Sequence, residues 1–375
     1  MKKIISFNKP FIEASDKRFL DKVFTNKKFS DGHFQKRCEK FIKKKIKSNY
    51  IALTQNCTSA LEIAMILLNL NKDDEVIMPS YTFTSTANAV ILRGAKPVFV
   101  DVNSYDANLN PELVEKKINK KTKAIVLVHY GGNGCDMEKF MSIKKKYNLF
   151  IIEDAAHAFL GKYKNKFLGT FGDFGTFSFH ETKNYVGGQC GAISINNTKF
   201  INRAKIILDK GTDRSFLGDR KKYYSWKDVG SEFRSAELPA ALLFSQLVKN
   251  TKIESKRGEI WNHYYKNISR NKNPNYYIIK KDKKNKSSHH LFALVFKNRV
   301  LRKKFINFMK KRKIICHFHY YPLHMSSFGK KISKAKLPIT EKIYDGLVRL
   351  PLYPSLQKIE IDNISESVKN FLKKN

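Results

Sequence analysis

The 375 residues carry 72 Lys and Arg against 33 Asp and Glu, a formal net charge of +39 at pH 7, with 42% hydrophobic and 28% charged residues. That length and balance suit a globular protein with a large core, in two domains or one large and one small, and exclude a disordered chain. The charge suggests nucleic acid or a small anionic substrate, but only 13 of the 72 basic residues are arginine and the lysines are scattered from end to end. The expectation is a solvated lysine surface with no nucleic-acid partner.

In chain order, Met1 to Phe7 is basic and then apolar, and Asn8-Lys9-Pro10 ends the apolar run too early for a signal peptide. The five cysteines, Cys38, Cys57, Cys135, Cys190 and Cys316, are odd in number and show no CxxC spacing. That argues against a disulfide scaffold and a thiolate metal site, and suits a reducing compartment. The longest purely apolar stretch, Ile63 to Leu68, is one or two helical turns. The expectation is a cytoplasmic protein with no metal and no membrane span.

From about residue 50 to 195, short apolar runs alternate with amphipathic ones. The runs at 50–53, 75–78, 97–100, 124–128 and 149–152 read as buried strands, and 58–70, 83–93, 111–119 and 136–147 as helices. This pattern predicts a mostly parallel sheet between helices, with ligands at the carboxyl ends of the strands. No internal repeat, GxGxxG or GxxxxGK[ST] is present. After about residue 250 a long helix leads into a polar, lysine-rich run from Asn271 to His290, read as a solvated loop. A strand at 291–296, a helix at 301–312 and a strand at 314–320 follow. The expected fold class is α/β, with a large domain (1–250) and a small C-terminal α+β domain (251–375), and no Pro/Gly/Ser linker between them.

Three segments at strand ends carry chemistry. Ile151-Ile152-Glu153-Asp154 puts an acidic pair at the end of an apolar strand, where an Asp is either a turn residue or a site residue. Gly175 to Asn184 is an alternating strand that runs into Lys183. Its period of two sets Phe177 and Phe179 on one face and Thr176, Ser178 and His180 on the other, lining a cavity or holding a core histidine. Gln55-Asn56-Cys57-Thr58-Ser59 joins a strand to a helix, and its small hydroxylic residues fit either a cap or a phosphate site. Taken together they match the needs of pyridoxal phosphate. That cofactor requires a lysine amine, a carboxylate against its ring nitrogen, an anion site and a stacked aromatic ring. Lys183, Asp154, Thr58-Ser59 and Tyr81 each follow a predicted strand.

The chain resembles the nucleotide-sugar aminotransferases of the aspartate-aminotransferase fold, the DegT/StrS group, over nearly its whole length. The resemblance rests on the segment 74–83, on Glu153-Asp154-Ala155-Ala156, on the segment 178–184 and on His319-Tyr320-Tyr321-Pro322-Leu323-His324. It implies a pyridoxal-phosphate transferase of fold type I, with Lys183 as Schiff-base lysine and proton shuttle and Asp154 on the pyridine nitrogen. Thr58, Ser59 and Ser178 would hold the phosphate, with Tyr81 on the ring and His157 near the phenolic oxygen, where the family usually has Gln. The implied reaction moves an amino group, from glutamate, to the keto carbon of a nucleotide-linked deoxysugar, dTDP-4-keto-6-deoxyhexose first among them. A dehydratase of the same fold has histidine in place of the lysine, and a non-catalytic cofactor-binding regulator is the other alternative. Gln189 replaces a usual Glu, Glu232 stands where many members carry an Asn reaching the partner's phosphate, and Pro239 stands where Gln is common. A homodimer is expected, completed by the long segment Gly211 to Arg234. His180, His319 and Tyr320 are candidates for substrate contacts, with interdomain packing the other reading of the last two.

Overall fold

The computed structural model describes residues 4–217, 223–270, 273–279 and 283–374. Its first helices, α1 (Lys17–Asn26) and α2 (His33–Ile46), lead to a large sheet. Strands β1 (Tyr50–Thr54), β2 (Glu75–Pro79), β3 (Lys96–Val100), β4 (Thr122–Val128) and β5 (Phe150–Asp154) come first, with α3 (Cys57–Leu67) after β1 and α4 (Thr84–Ile91) after β2. A short hairpin, β6 (Lys162–Tyr163) and β7 (Lys166–Phe167), precedes β8 (Phe174–Ser178) and β9 (Gly191–Ile195). The seven-stranded sheet runs β1-β9-β8-β5-β4-β2-β3. β9 is antiparallel to both neighbours and the other pairings are parallel, so the carboxyl ends of β1, β2, β4, β5 and β8 share one edge with the start of β9.

Both faces of this sheet are buried, and the alternation of each strand divides its side chains between two cores. Leu53, Ile77, Ile125, Leu127, Ile151 and Phe177 belong to one core. Ala52, Val76, Met78, Ala124, Val126 and Ile152 belong to the other. The interior is therefore apolar on both sides, and polar chemistry is pushed to the strand ends.

A second sheet, β10 (Tyr276–Ile278), β12 (Phe292–Phe296) and β13 (Leu347–Leu350), is antiparallel, in the order β10-β12-β13. Between its first two strands in the chain, β11 (Asn285–Lys286) pairs instead with β6. The helices Asn250–Ile268, Arg299–Lys311 and Lys358–Lys374 share its core through Tyr264, Phe305 and Phe371. Ile5 joins that core and pairs with Ile314, so the N-terminal segment packs with C-terminal residues. A further cluster, with Tyr81, Tyr130, Leu291 and Leu347, ties the two sheets together. The predicted strand at 314–320 is not formed. The segment makes isolated bridges, Ile5 to Ile314 and His317 to Arg349, because each of its halves pairs with a different partner.

Glu153 shows how β5 holds its neighbours. Its fully buried carboxylate accepts the amides of Gly169 (2.7 Å), Phe171 (2.6 Å) and Gly172 (2.7 Å) and lies 2.9 Å from His129 Nε2. This pins the turn that feeds β8. Glu153→Ala strands three buried amides, each worth about 1–3 kcal/mol when unsatisfied. We expect a loss of at least about 3 kcal/mol in urea unfolding; a loss under ~1 kcal/mol would show that water replaces the carboxylate.

Candidate active site

A cavity of about 720 Å³ opens at the carboxyl edge of the large sheet, between it and the C-terminal residues. Thr58, Asp154, His157, Ser178, His180 and Lys183 line it from the first part of the chain, and His319 and Tyr320 from the second. Eight of the ten residues singled out in the sequence therefore meet in one space.

Asp154 ends β5, on the parity opposite Glu153. Its Oδ2 accepts from Thr86 Oγ1 at 2.9 Å and its Oδ1 from the Ala156 amide at 3.2 Å. Burial pushes its pKa up, against those hydrogen bonds and the charge of Lys183. Among the described residues no basic side chain forms an ion pair with it. Lys183 sits in the tight turn after β8, where its amide donates to His180 O at 2.8 Å and Gly187 N donates to Phe179 O at 2.7 Å. Burial lowers its pKa, Cys57 and Asp154 oppose that, and Arg349 adds to it.

α3 begins beside this pair. Asn56 caps it, its Oδ1 accepting the Ser59 amide at 2.8 Å, while the first-turn amides of Cys57 and Thr58 lie outside the helix's own ladder. Gly191, at the start of β9, admits this loop at close range: a Cβ there would lie 2.4 Å from the Asn56 carbonyl carbon. Thr58 Oγ1 is 2.7 Å from Ser85 Oγ, and Ser178 faces the same space. On the other wall His157 stacks on His290, with ring centroids 4.2 Å apart, and its Nε2 is 3.2 Å from Tyr320 Oη. Burial, then the charges of Lys183 and Arg349, drives the His157 pKa well below the usual histidine range.

Two expected residues lie elsewhere. Ser59 is buried and does not line the cavity, because it sits about 100° further round the helix than Thr58. Tyr81 is fully buried in the cluster between the sheets, its hydroxyl donating to His319 O. Ser80, held 2.7 Å from His324 Nδ1, turns the chain inward there, and it emerges only at Phe83, which is 59% exposed and lines the cavity. The end of the lysine-rich run is also not a solvated loop: Asn285, Ser287 and Ser288 are buried. Ser288 Oγ donates to His157 O at 2.6 Å, and Asn184 Oδ1 meets His290 Nδ1 at 2.9 Å; residues 280–282 and 271–272 of that run lie outside the described residues. Glu232 pairs with Lys210, so its charge is answered within the chain, and Gln189 lines the cavity. The sequence reading gave no role to Cys57, Phe83, Thr86, His290 or Arg349, all of which line the cavity.

Residues 10–369 match the profile of the DegT/DnrJ/EryC1/StrS aminotransferase family. The chain belongs to this family. Relatives of this aminotransferase include a GDP-perosamine synthase from Escherichia coli O157:H7, 30% identical, covering 98% of this chain and 99% of its own. A dTDP-3-amino-3,6-dideoxy-alpha-D-galactopyranose transaminase from Aneurinibacillus thermoaerophilus is 32% identical over 86% of each chain. Among solved structures, PseC of Helicobacter pylori, an aminotransferase involved in the biosynthesis of pseudoaminic acid, superposes with a TM-score of 0.92 at 26% identity over 100% of both chains. The protein is thus a nucleotide-sugar aminotransferase of fold type I, and its family uses pyridoxal phosphate.

The residues present fit that cofactor. A buried carboxylate without a cationic partner suits a protonated ring nitrogen, a helix N-terminus beside two hydroxyls suits a phosphate, and an amine with a lowered pKa suits an aldehyde. Because that pKa is lowered, Lys183 becomes neutral, and nucleophilic, at lower pH than an ordinary lysine. The rate at which the apoenzyme captures pyridoxal phosphate should rise with pH and level off below pH 10.5, the ordinary lysine value. Arg349→Met should move the midpoint upward, since it removes a positive neighbour. Stopped-flow absorbance measures both, and a midpoint at or above 10.5 in the wild type contradicts this account.

Proposed function

We propose that the enzyme transfers the amino group of L-glutamate to the keto carbon of a dTDP-linked 4-keto-6-deoxyhexose. The convergence of Lys183, Asp154 and the start of α3 on one cavity carries the reading of the reaction. For the substrate, the supports are two relatives' names. One is the dTDP-sugar transaminase above, and the other is a Campylobacter jejuni UDP-4-amino-4,6-dideoxy-N-acetyl-beta-L-altrosamine transaminase, 29% identical over 97% of this chain.

Bound pyridoxal phosphate supplies an aldehyde carbon and a protonated, electron-withdrawing ring. Asp154 would hold the proton on the ring nitrogen, and Thr86 and the Ala156 amide keep its carboxylate aimed. Thr58, Ser178 and the first-turn amides of α3 would hold the phosphate, with Phe83 rather than Tyr81 offering a ring face. His157 Nδ1 accepts from the Gly131 amide at 3.4 Å, which leaves the hydrogen of the neutral ring on Nε2, now 3.2 Å from Tyr320 Oη, where it would serve the phenolic oxygen of a bound cofactor. Lys183 Nζ would move the proton at the carbon bearing the transferred amine, as a positioned general acid–base. His319 and Tyr320 belong to the wall where the sugar would lie.

The active unit in this reading is a homodimer. Tyr223 is 86% and Trp226 80% exposed in the segment 211–234, an aromatic surface suited to a second copy; residues 218–222 of it lie outside the described residues. A fully active monomer by sizing and assay would exclude the dimer.

Two measurements test the reaction itself. Borohydride reduction followed by peptide mapping should place the pyridoxyl group on Lys183, and Lys183→Ala should lose at least about 10³-fold in turnover; label on another lysine overturns the site. Purified enzyme, glutamate and a panel of dTDP-, UDP- and GDP-linked keto-sugars, followed by mass spectrometry, should show amination of the dTDP-4-keto sugar. Amination of the GDP or UDP sugars alone would overturn the substrate.

A further inference from the structure

His157 is gripped by the segment 285–290, which approaches from the C-terminal part of the chain. Ser288 Oγ donates to His157 O at 2.6 Å, and the Ser288 amide donates to Gly132 O at 3.2 Å. Gly132, at φ +90°, makes room for this: a Cβ there would lie 2.0 Å from Ser288 Oγ and 3.0 Å from His157 O. His290 lays its ring on that of His157, with centroids 4.2 Å apart and planes at 22°. That is closer than His319 at 5.6 Å or Tyr320 at 6.2 Å. Two bonds fix His290. Arg257 Nη2 donates to its carbonyl at 2.6 Å, and Asn184 meets its Nδ1 at 2.9 Å. Asn184 Nδ2 donates to Ser288 O at 2.8 Å, so the atom facing His290 is Oδ1, which can only accept. His290 Nδ1 therefore carries the hydrogen of a neutral ring, and the side chain that orients it belongs to the neighbour of Lys183.

By itself the His157 ring is poorly fixed. The Gly131 amide is 3.4 Å from its Nδ1, a long hydrogen bond, and an imidazole turns broadly about its second torsion. Among the described residues, the groups facing the two rings are Lys183, Arg257, Arg349, His319, Tyr130 and Tyr320, with no carboxylate to turn His157. Burial and the charges of Lys183 and Arg349 keep His157 neutral; burial, His157, Lys183 and Arg257 do the same for His290. An imidazolium would donate from both nitrogens, whereas a neutral imidazole has one N–H and must be turned the right way. We propose that His290 is the positioning residue for His157. Stacked on that ring and tied to Asn184, it holds the plane from which His157 Nε2–H donates to the phenolic oxygen of the cofactor. This rests on the aminotransferase reading above and adds to it the group that aims the donor. The link through Asn184 also ties that aim to the turn carrying Lys183, so donor and amine keep one spacing.

The readout is the pH at which the visible absorbance of the cofactor-loaded enzyme shifts as the linkage between Lys183 and cofactor loses its proton, with no substrate present. A hydrogen bond to the phenolic oxygen stabilises its anion, which then holds the linkage proton less tightly, so the donor lowers this midpoint. His157→Ala should raise it by about one pH unit, a tenfold change in proton affinity. His290→Leu should raise it nearly as far, and His290→Phe, which keeps a ring in the stack, should recover part of the loss. In the His157→Ala background, His290→Leu should move the midpoint by less than about 0.3 unit, because the ring it positions is gone. Additive shifts in the double variant would give His290 a contact of its own and overturn the proposal. An unmoved midpoint in His290→Leu, with only the thermal unfolding temperature lowered, would mean ordinary packing and overturn it too. If His290→Leu does not load cofactor, Asn184→Ala, which frees the His290 ring, should raise the midpoint in the same direction; no change there also overturns it. A midpoint unmoved in His157→Ala would show that this ring does not reach the phenolic oxygen, and the proposal would fail while the aminotransferase reading stood. A wild type that forms no visible band with pyridoxal phosphate would instead sink that reading, and this inference with it.

Discussion

Asp154 closes β5 with a carboxylate taken out of water, and among the described residues it is held by two hydrogen bonds, from Thr86 and Ala156. Burying an anion without a cation is costly, and the raised pKa of the group records that cost. The surrounding architecture makes sense as the means of holding that unpaired charge in place. The sheet supplies a rigid edge, α4 supplies the Thr86 hydroxyl, and the turn after β8 brings Lys183 to the same cavity. Pre-formed polar groups of this kind need no reorganisation when a charged ligand arrives.

The period of two along a strand lets adjacent acids do unrelated work. Glu153 points into the apolar side and ties the 169–172 turn to His129, while Asp154, one residue on, points to the cavity. The same rule on β8 sends Phe177 and, just beyond it, Phe179 into the core, with Ser178 and His180 to the site. Fold and chemistry share a strand without sharing a face. A change at Glu153 is therefore expected to act on the packing of the 169–172 turn, and a change at Asp154 on the cavity.

The cavity's far wall follows a different logic. His157, His290, His319 and Tyr320 stack into an aromatic surface whose imidazoles are kept neutral by burial and by the nearby charges of Lys183, Arg257 and Arg349. Such a wall offers hydrogen-bond donors and acceptors without adding charge. Arg349 adds a guanidinium to it, held by Phe318 O and the Phe7 ring, with its Nε buried and without a hydrogen-bond partner.

Local pattern carried much of this. Apolar runs of strand length separated by helix-length amphipathic segments imply a covered parallel sheet, and a polar residue at the end of such a run has only the sheet edge to occupy. Asp154, Ser178, Lys183 and Thr58 were legible for that reason, since the first two end strands and the other two follow closely after one. Contacts made across long sequence separations were not legible. Tyr81 goes inward because Ser80 is tied to His324, 244 residues away, and Phe83 takes the outward place. Ser288 and His290 looked like part of a solvated lysine-rich loop until packing set them against His157 and Asn184. Arg349 read as one more basic residue, since nothing in its neighbours in sequence says that its guanidinium lines the cavity. Periodicity determined the sheet and the identity of its end residues; only the tertiary structure decided which of them face one cavity, because burial and pairing of a side chain are set by chain segments that the sequence does not hold side by side.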